Sequence, residues 1–352
     1  MGAKLLIFNP EHDLALAVGN KSYTPPAIID KLKKDFSLLP AAYAGDGDFV
    51  LVPQALCKAV KSKLPDLVSP LFPLRINKKA VIISLSQLPI VADKISMVIP
   101  WGWNHHLRKN LIAAGVSPNI LPSETILETL RRLSHRRTTI SFFDYFKNYP
   151  QYSDLPSPKE IHSLNEAEEF LSHAEVAFFK APWSSSGRGI VVSDHITRKG
   201  LMEWAHGILS KQGSIIAEKA WDKKIDFASE WWMGNGKAEF VGLSYFKASS
   251  RGKYHGNTLE TQCFIREAII KNTDKFDASL LRMQREALET KVGRAYSGPL
   301  GIDMLADTSG HINPCVEINF RLTMGFIATK RGREILQNLP EQNKDILKLP
   351  KR

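Results

Sequence analysis

The chain has 352 residues, 43% of them hydrophobic, which is enough for a large core divided among two or three folding units. Its formal net charge is +11, and its three cysteines, Cys57, Cys263 and Cys315, lie far apart without metal-ligand spacing. This composition excludes a small disulfide-stapled domain, argues against a zinc site, and sets the expected location as the reducing cytoplasm. No run approaches about 18 apolar residues, and the segment from Lys4 to Phe8 is too short for a signal peptide's apolar region, so neither a membrane nor secretion is expected.

The positive charge raises the question of nucleic acid, but its distribution does not support that partner. The basic residues fall in scattered helical groups, Lys31/Lys33/Lys34, Lys58/Lys61/Lys63, Arg131/Arg132/Arg136/Arg137 and Lys330/Arg331/Arg333, with no aromatic-interleaved strand among them. A basic nucleic-acid-binding protein is kept as the lesser alternative, and steeply salt-dependent binding would mark it.

In chain order, the first 120 residues alternate strand and helix. Strands are predicted at Lys4 to Phe8, Phe49 to Val52, Ala80 to Leu85 and Met97 to Pro100, with helices near Pro26 to Phe36, Gln54 to Lys63 and Asn104 to Ala114. This pattern predicts an open α/β sheet. Helices follow at Ser123 to Ser134 and Thr138 to Asn148, and the polar, proline-containing segment Tyr149 to Pro158 marks a boundary. A second α/β unit then comprises a helix from Asn165 to Ser172, strands Val176 to Lys180 and Ile190 to Ser193, a helix from Thr197 to Lys211, and the strand Ser214 to Glu218. The last part opens on a hairpin from Asp226 to Leu243 turning at Asn235-Gly236, a strong two-residue turn signal. It continues through a polar loop and a helix from Asp274 to Arg294, and ends on a second hairpin.

That last hairpin, Gly298 to Met304 and Asn313 to Arg321, carries the most chemistry. Its even positions Leu300, Ile302, Met304, Val316, Ile318 and Phe320 are apolar, whereas the odd ones include Asp303, Glu317, Asn319 and Arg321. A period of two gathers the ligands on one face. With Thr308-Ser309-Gly310 as a three-residue loop and Gly310 left-handed, Asp303 is expected opposite Cys315 and diagonal to Glu317, roughly 7 Å away. Two carboxylates and an amide oxygen suit Mg²⁺ shared with phosphate, and an arginine beside them suits an anion. The alternative is an amphipathic hairpin with a solvated polar face.

Upstream, Phe178 to Lys180, the loop Ser184-Ser185-Ser186-Gly187-Arg188-Gly189, and Ile190 to Val192 read as strand, loop and strand built to fold over an anion. Small residues let backbone N–H groups reach phosphate oxygens, and Lys180 adds a point charge. A solvated connection is the alternative. The glycine pattern matches neither a Walker loop nor a dinucleotide fingerprint. After the strand ending at Glu218, the backbone of Lys219 to Trp221 followed by Asp226 fits purine nucleoside recognition by main chain plus one acid.

Taken in order, the lysine and loop, the Glu218–Lys219 hinge with its following acid, and the Asp303…Glu317-x-Asn319-x-Arg321 hairpin resemble the ATP-grasp superfamily over roughly residues 121 to 335. The resemblance implies an ATP-grasp fold preceded by an open α/β domain, and ATP with Mg²⁺ as cofactors. By position it implies that Lys180 contacts the ATP phosphates and that Ser185, Ser186 and Gly187 cap them. Glu218, Lys219 and Trp221 would meet adenine and Asp226 the ribose, while Asp303, Glu317 and Asn319 would ligate magnesium and Arg321 would hold phosphate or a carboxylate. The family's earlier nucleotide lysine has no clear match, and Arg137 is the nearest candidate. The loop also has fewer glycines than in many members, and the ribose acid is the shorter Asp. The implied units are residues 1–120 on the substrate side, 121–217 with the nucleotide lid, 218–340 with the metal site, and a basic tail at 341–352.

The implied activity is ATP-dependent ligation, in which a carboxylate activated as an acyl phosphate is joined to an amine or similar nucleophile. A phosphotransferase or non-ligase nucleotide-binding protein of the same fold is the alternative. The implied partners are small-molecule carboxylates and amines, and a homodimer is left open. Two strand-end loops are candidates for the substrate side: Asn9 to Asp13, with Glu11, His12 and Asp13, and Trp101 to His106, with Trp103 and His105. Their alternative is helix capping and surface. Ser249 to Asn257, with Arg251 and His255, reads as a mobile substrate loop or a solvated linker.

Overall fold

The computed structural model describes residues 2–19, 23–60, 64–69, 72–184, 189–248 and 254–339. The first sheet takes shape from short apolar strands, β1 (Ala3–Ile7), β2 (Phe49–Leu51), β5 (Val81–Ile83) and β6 (Ile95–Pro100), in the order β5-β2-β1-β6. A small hairpin of β3 (Leu67–Ser69) and β4 (Phe72–Arg75) lies between β2 and β5 in sequence. Every pairing in the four-stranded sheet is parallel, and Leu5 and Leu6 at its centre have no exposure. Parallel strands of this kind require helical crossovers, which helices Ile28–Phe36, between β1 and β2, and Gln54–Val60, between β2 and β5, help to supply. The N-terminal expectation of an open α/β sheet is met, with β6 at one edge.

The second sheet holds β7 (Lys159–Ile161), β8 (Ala177–Lys180), β9 (Ile190–Val192) and β10 (Ile215–Lys219), ordered β7-β10-β8-β9. It is antiparallel throughout. Helices Leu164–Ser172 and Arg198–Gln212 cover it, burying Ala167, Leu201 and Ala205 against Phe179, Ile215 and Ala217.

The third sheet is the largest, with β11 (Lys223–Gly234), β12 (Lys237–Ala248), β13 (Tyr254–Asn257), β14 (Gly298–Asp307) and β15 (Ile312–Asn319) in the order β13-β12-β11-β14-β15. The β11–β12 turn falls at Asn235-Gly236, both with positive φ (53° and 77°), as that dipeptide signals. One face of the sheet is core: Phe227, Trp231, Leu300, Ile302, Met304 and Phe320 pack with Leu280 and Met283 of helix Ala278–Ala287 and with Phe142, Phe143 and Phe146 of helix Arg137–Phe146. At roughly 25 cal/mol per Å² of buried apolar surface, this aromatic layer anchors the sheet that carries the polar residues on its other face.

Two segments differ from the sequence reading. The described part of Ser249 to Asn257 is the edge strand β13, held to β12 by the Phe246–Asn257 register. What reads as a polar loop after it contains helix Gln262–Ile270, where the Thr261 hydroxyl accepts from the Phe264 N–H and Ile265 and Ile269 bury one face. No described helix is long and apolar enough to cross a membrane.

Candidate active site

The polar face of the third sheet is assembled strand by strand. β11 sets Asp226, Ala228 and Glu230 opposite Leu305, Asp303 and Gly301 of β14, so alternation places Asp226 and Glu230 on the same side as Asp303. β15 adds Glu317 directly across from Asp303, and Asn319 opposite Gly301. This corrects the expected register, in which Asp303 faced Cys315. The loop itself is the expected one: the Asp307 N–H donates to the His311 carbonyl, and Gly310 has φ +80°. The shift arises further along the ladder, between the Leu305–Asn313 and Asp303–Glu317 pairs. Pro314 has no N–H for the ladder, and the Asn313 side chain accepts from the Cys315 N–H at 3.1 Å, so the chain bulges there. The two carboxylates thereby become direct cross-strand neighbours, at about 4.5–5.5 Å between Cβ atoms.

Their proximity is electrostatically unfavourable without a cation. Burial, then the Glu317 and Glu230 carboxylates, push the Asp303 carboxyl up to about 8, against the opposing effect of Arg321 and of the Asn319 amide that donates to Asp303 Oδ2 at 3.1 Å. Glu230 is buried, 1% exposed, and is held by hydroxyl donors from Thr323 and Ser244, each at 2.8 Å; burial pushes it up to about 7. Sequence reasoning passed over Glu230. Its signal was available, since the even-numbered alternation beginning at Asp226 continues through Ala228 to Glu230.

Facing the hairpin is the base of the loop between β8 and β9. Lys180 ends β8, buried, and forms an ion pair with Glu218 of β10. The loop closes through the Ala181 N–H and the Gly189 carbonyl, 2.7 Å apart. Arg136 then ties the two halves of the site together. Its Nη1 donates to the Ala181 carbonyl and, at 2.6 Å, to Ser184 Oγ, while its Nη2 donates to Glu317 Oε1 at 2.8 Å. Its neighbour Arg137, the arginine singled out from sequence, is half exposed and turns to Glu160 at 2.9 Å. Nothing in the sequence chooses between adjacent arginines, because the choice depends on how the helix cap is oriented. Burial, followed by Asp303, raises the Cys315 thiol, with Glu218 and Glu317 raising it further and Lys180 opposing them.

The other expectations divide. Lys219 is exposed at the end of β10, and the Trp221 carbonyl accepts from the Lys223 N–H at 2.8 Å. Asp226 pairs with Lys223 at 2.7 Å, and burial raises its carboxyl. Ser185, Ser186, Gly187 and Arg251 lie outside the described residues. Asp13 reaches the site, accepting from Arg321 Nε at 3.0 Å. Glu11 is turned to Lys33 at 2.8 Å instead. His12 is fully buried against Gly102, where a Cβ would lie 2.5 Å from the ring, and burial lowers it to about 4; it packs the N-terminal loops rather than facing a substrate. His105 is drawn to Glu124 and Glu128 of helix Glu124–Leu133, 2.6 and 2.7 Å away, which fixes it away from the cleft. Trp103 does line a cleft beside Arg321, and His255 is exposed on β13.

No family model matches the chain. Over 168 residues it is 26% identical to the butirosin acyl-carrier protein–L-glutamate ligase of Niallia circulans, an alignment covering 47% of this chain and 38% of that protein. Among solved structures it resembles biotin carboxylase of Campylobacter jejuni in a beta-gamma-ATP complex, with TM-score 0.55, 12% identity, and coverage of 100% of this chain and 72% of that one. It also resembles N5-carboxyaminoimidazole synthetase of Staphylococcus aureus complexed with ADP, with TM-score 0.52, 13% identity, and coverage of 97% and 79%. The fold of the chain is the ATP-grasp fold.

Proposed function

We propose that the chain is a magnesium-dependent, ATP-using ligase that activates a carboxylate as an acyl phosphate and joins it to an amine. In this reading residues 1–120 form the substrate side, 121–217 carry the nucleotide lid and 218–340 carry the metal site. The observation that supports it most is the direct Asp303–Glu317 pair, with Asn319 and Arg321 on one side and the Arg136-tethered base of the β8–β9 loop on the other.

The donor set fits magnesium. Among the described residues no three of His, Cys, Asp and Glu converge as a closed ion cage. Two carboxylates and an amide suit an ion that keeps waters and shares phosphate oxygens, and the raised Asp303 carboxyl marks where positive charge is wanted. Asp303, Glu317 and Asn319 would hold Mg²⁺, which when bound would supply neutralisation of phosphate charge. Lys180 would meet the phosphates, with Glu218 holding its ammonium in place. Glu218 and the main chain near Lys219 would meet the base, Asp226 the ribose, and Arg321 the carboxylate. Phosphoryl transfer needs positioning and charge neutralisation more than a side-chain nucleophile, and the site supplies the former. The ligase relative and the nucleotide complexes of the structural neighbours support the same reading.

Calorimetric titration with Mg-ATP, followed by a screen of carboxylate and amine pairs for ADP and phosphate release, tests it. Saturable nucleotide binding and pair-dependent ADP release are expected. Folded protein that shows no binding at millimolar Mg-ATP would overturn the proposal.

A further inference from the structure

A cleft of about 260 Å³ opens where the first sheet, the connection after it and the third sheet meet. One wall is the outer edge of β6, which pairs with β1 alone because it ends its sheet. The opposite wall is aromatic: Trp232 of β11, Tyr296 before β14 and Phe320 after β15 face Trp101 and Trp103. Arg321 is the only charged residue in the lining among the described residues. Its Nε holds Asp13, its Nη1 donates to the Leu322 carbonyl, and its Nη2 makes no hydrogen bond among the described residues. Arg321 also acts on Asp303 and Glu230, so the charged end of the cleft is the end beside the metal carboxylates. Leu336 of helix Lys330–Gln337 and Leu339 just after it line the cleft as well, adding apolar surface.

These features define an occupant. An apolar cavity of about 150 Å³ holds a benzene ring, so this cleft suits a ligand body of roughly eight to ten non-hydrogen atoms. An aromatic and aliphatic lining favours an apolar body, and a single arginine favours one anionic end. Only one orientation avoids burying an unpaired anion among leucines, namely head at Arg321 and body along β6.

We infer that the cleft binds the apolar body of the carboxylate substrate, an alkanoate or arylalkanoate of about eight to ten carbons whose carboxylate meets Arg321 beside Asp303 and Glu317. This rests on the ligase reading for the word substrate, whereas binding itself does not. Each methylene that enters the cleft adds close to fourfold in affinity until the cleft is full.

The test is titration of the intact protein with straight-chain acids from acetate to dodecanoate, followed by tryptophan fluorescence and calorimetry without nucleotide, with the matching alcohols as controls. Saturable one-to-one binding that tightens about fifteenfold per two carbons and levels off near eight to ten supports the inference. Acids should bind at least tenfold tighter than alcohols, and Arg321→Met should erase that difference. Met97→Phe, which narrows the slot beside β6, should lower the chain length at which affinity levels off while leaving butyrate unchanged. A flat series, or alcohols equal to acids, overturns the inference. ADP release is measured separately with the same acids and amines. Chain-length-dependent binding without turnover therefore supports the cleft while counting against the ligase reading, and turnover with a flat series does the reverse.

Discussion

Arg321 Nε donates to Asp13 Oδ2 at 3.0 Å, joining residues 308 positions apart and fastening the first turn of helix His12–Val18 to the end of the strand that carries Glu317 and Asn319. Both side chains are mostly buried, at 12% and 15% exposed, so the pair is shielded from the solvent that weakens surface ion pairs. Asp13→Asn should therefore raise the KM for the carboxylate about tenfold while leaving the Kd for Mg-ATP within twofold. Steady-state kinetics alongside nucleotide titration decide it; equal losses in both would place Asp13 in the nucleotide site instead.

Arg136 and Arg137 offer a paired comparison. Arg136→Ala removes the tether from Ala181 and Ser184 to Glu317, and Mg-ATP affinity should fall by 10- to 100-fold. Arg137→Ala removes a half-exposed pair with Glu160 and should change affinity less than threefold. The reverse ranking in nucleotide titrations would restore Arg137 to the role assigned from sequence.

Glu317→Gln and Asp303→Asn keep size and remove a metal-neutralising charge. Each should lower ADP release by at least 100-fold with a shifted magnesium dependence, while circular dichroism and melting temperature show a folded protein. Lys180→Ala should instead weaken nucleotide binding. Wild-type rates and magnesium dependence in the two hairpin variants would show the polar face to be solvated surface.

Glu230 gives a pH prediction. Burial pushes its folded carboxyl up to about 7 from the ordinary 4.5, so the folded state holds the proton more tightly than the unfolded chain does. The resulting stabilisation is complete below pH 4.5 and is lost as pH rises through 7, a swing on the order of 3 kcal/mol. Glu230→Gln, which still offers a hydrogen-bonding group to Thr323 and Ser244, should flatten the decline in melting temperature between pH 5 and 7.5. Parallel wild-type and variant curves over that range would remove Glu230 as its source.

The sequence made some of this legible for definite reasons. Alternation along β14 and β15 separates core from polar face, and Asn235-Gly236 forces a turn, because both signals are local. The Asp303–Glu317 pairing was not, since it depends on a bulge that the Asn313 side chain stabilises only once Pro314 has interrupted the ladder. His12 looks like a strand-end ligand, yet the ring fills the space a Cβ on Gly102 would occupy, a fact set by the packing of two loops ninety residues apart. Helix Gln262–Ile270 was readable from Thr261 and the Ile265/Ile269 spacing, but the polar stretch around it drew the reading toward a loop.

The amine of Lys4, on β1, donates to the carbonyls of Leu336 and Gln337, at 3.4 and 2.5 Å, where helix Lys330–Gln337 ends. β1 is an interior strand of its sheet, and its lysine is 9% exposed, with that helix end accepting from its amine. These carbonyls lie 332 and 333 positions downstream of the lysine. The first sheet is therefore tied to a helix end far along the chain, a contact of high sequence separation whose loop-closure cost places it late in folding.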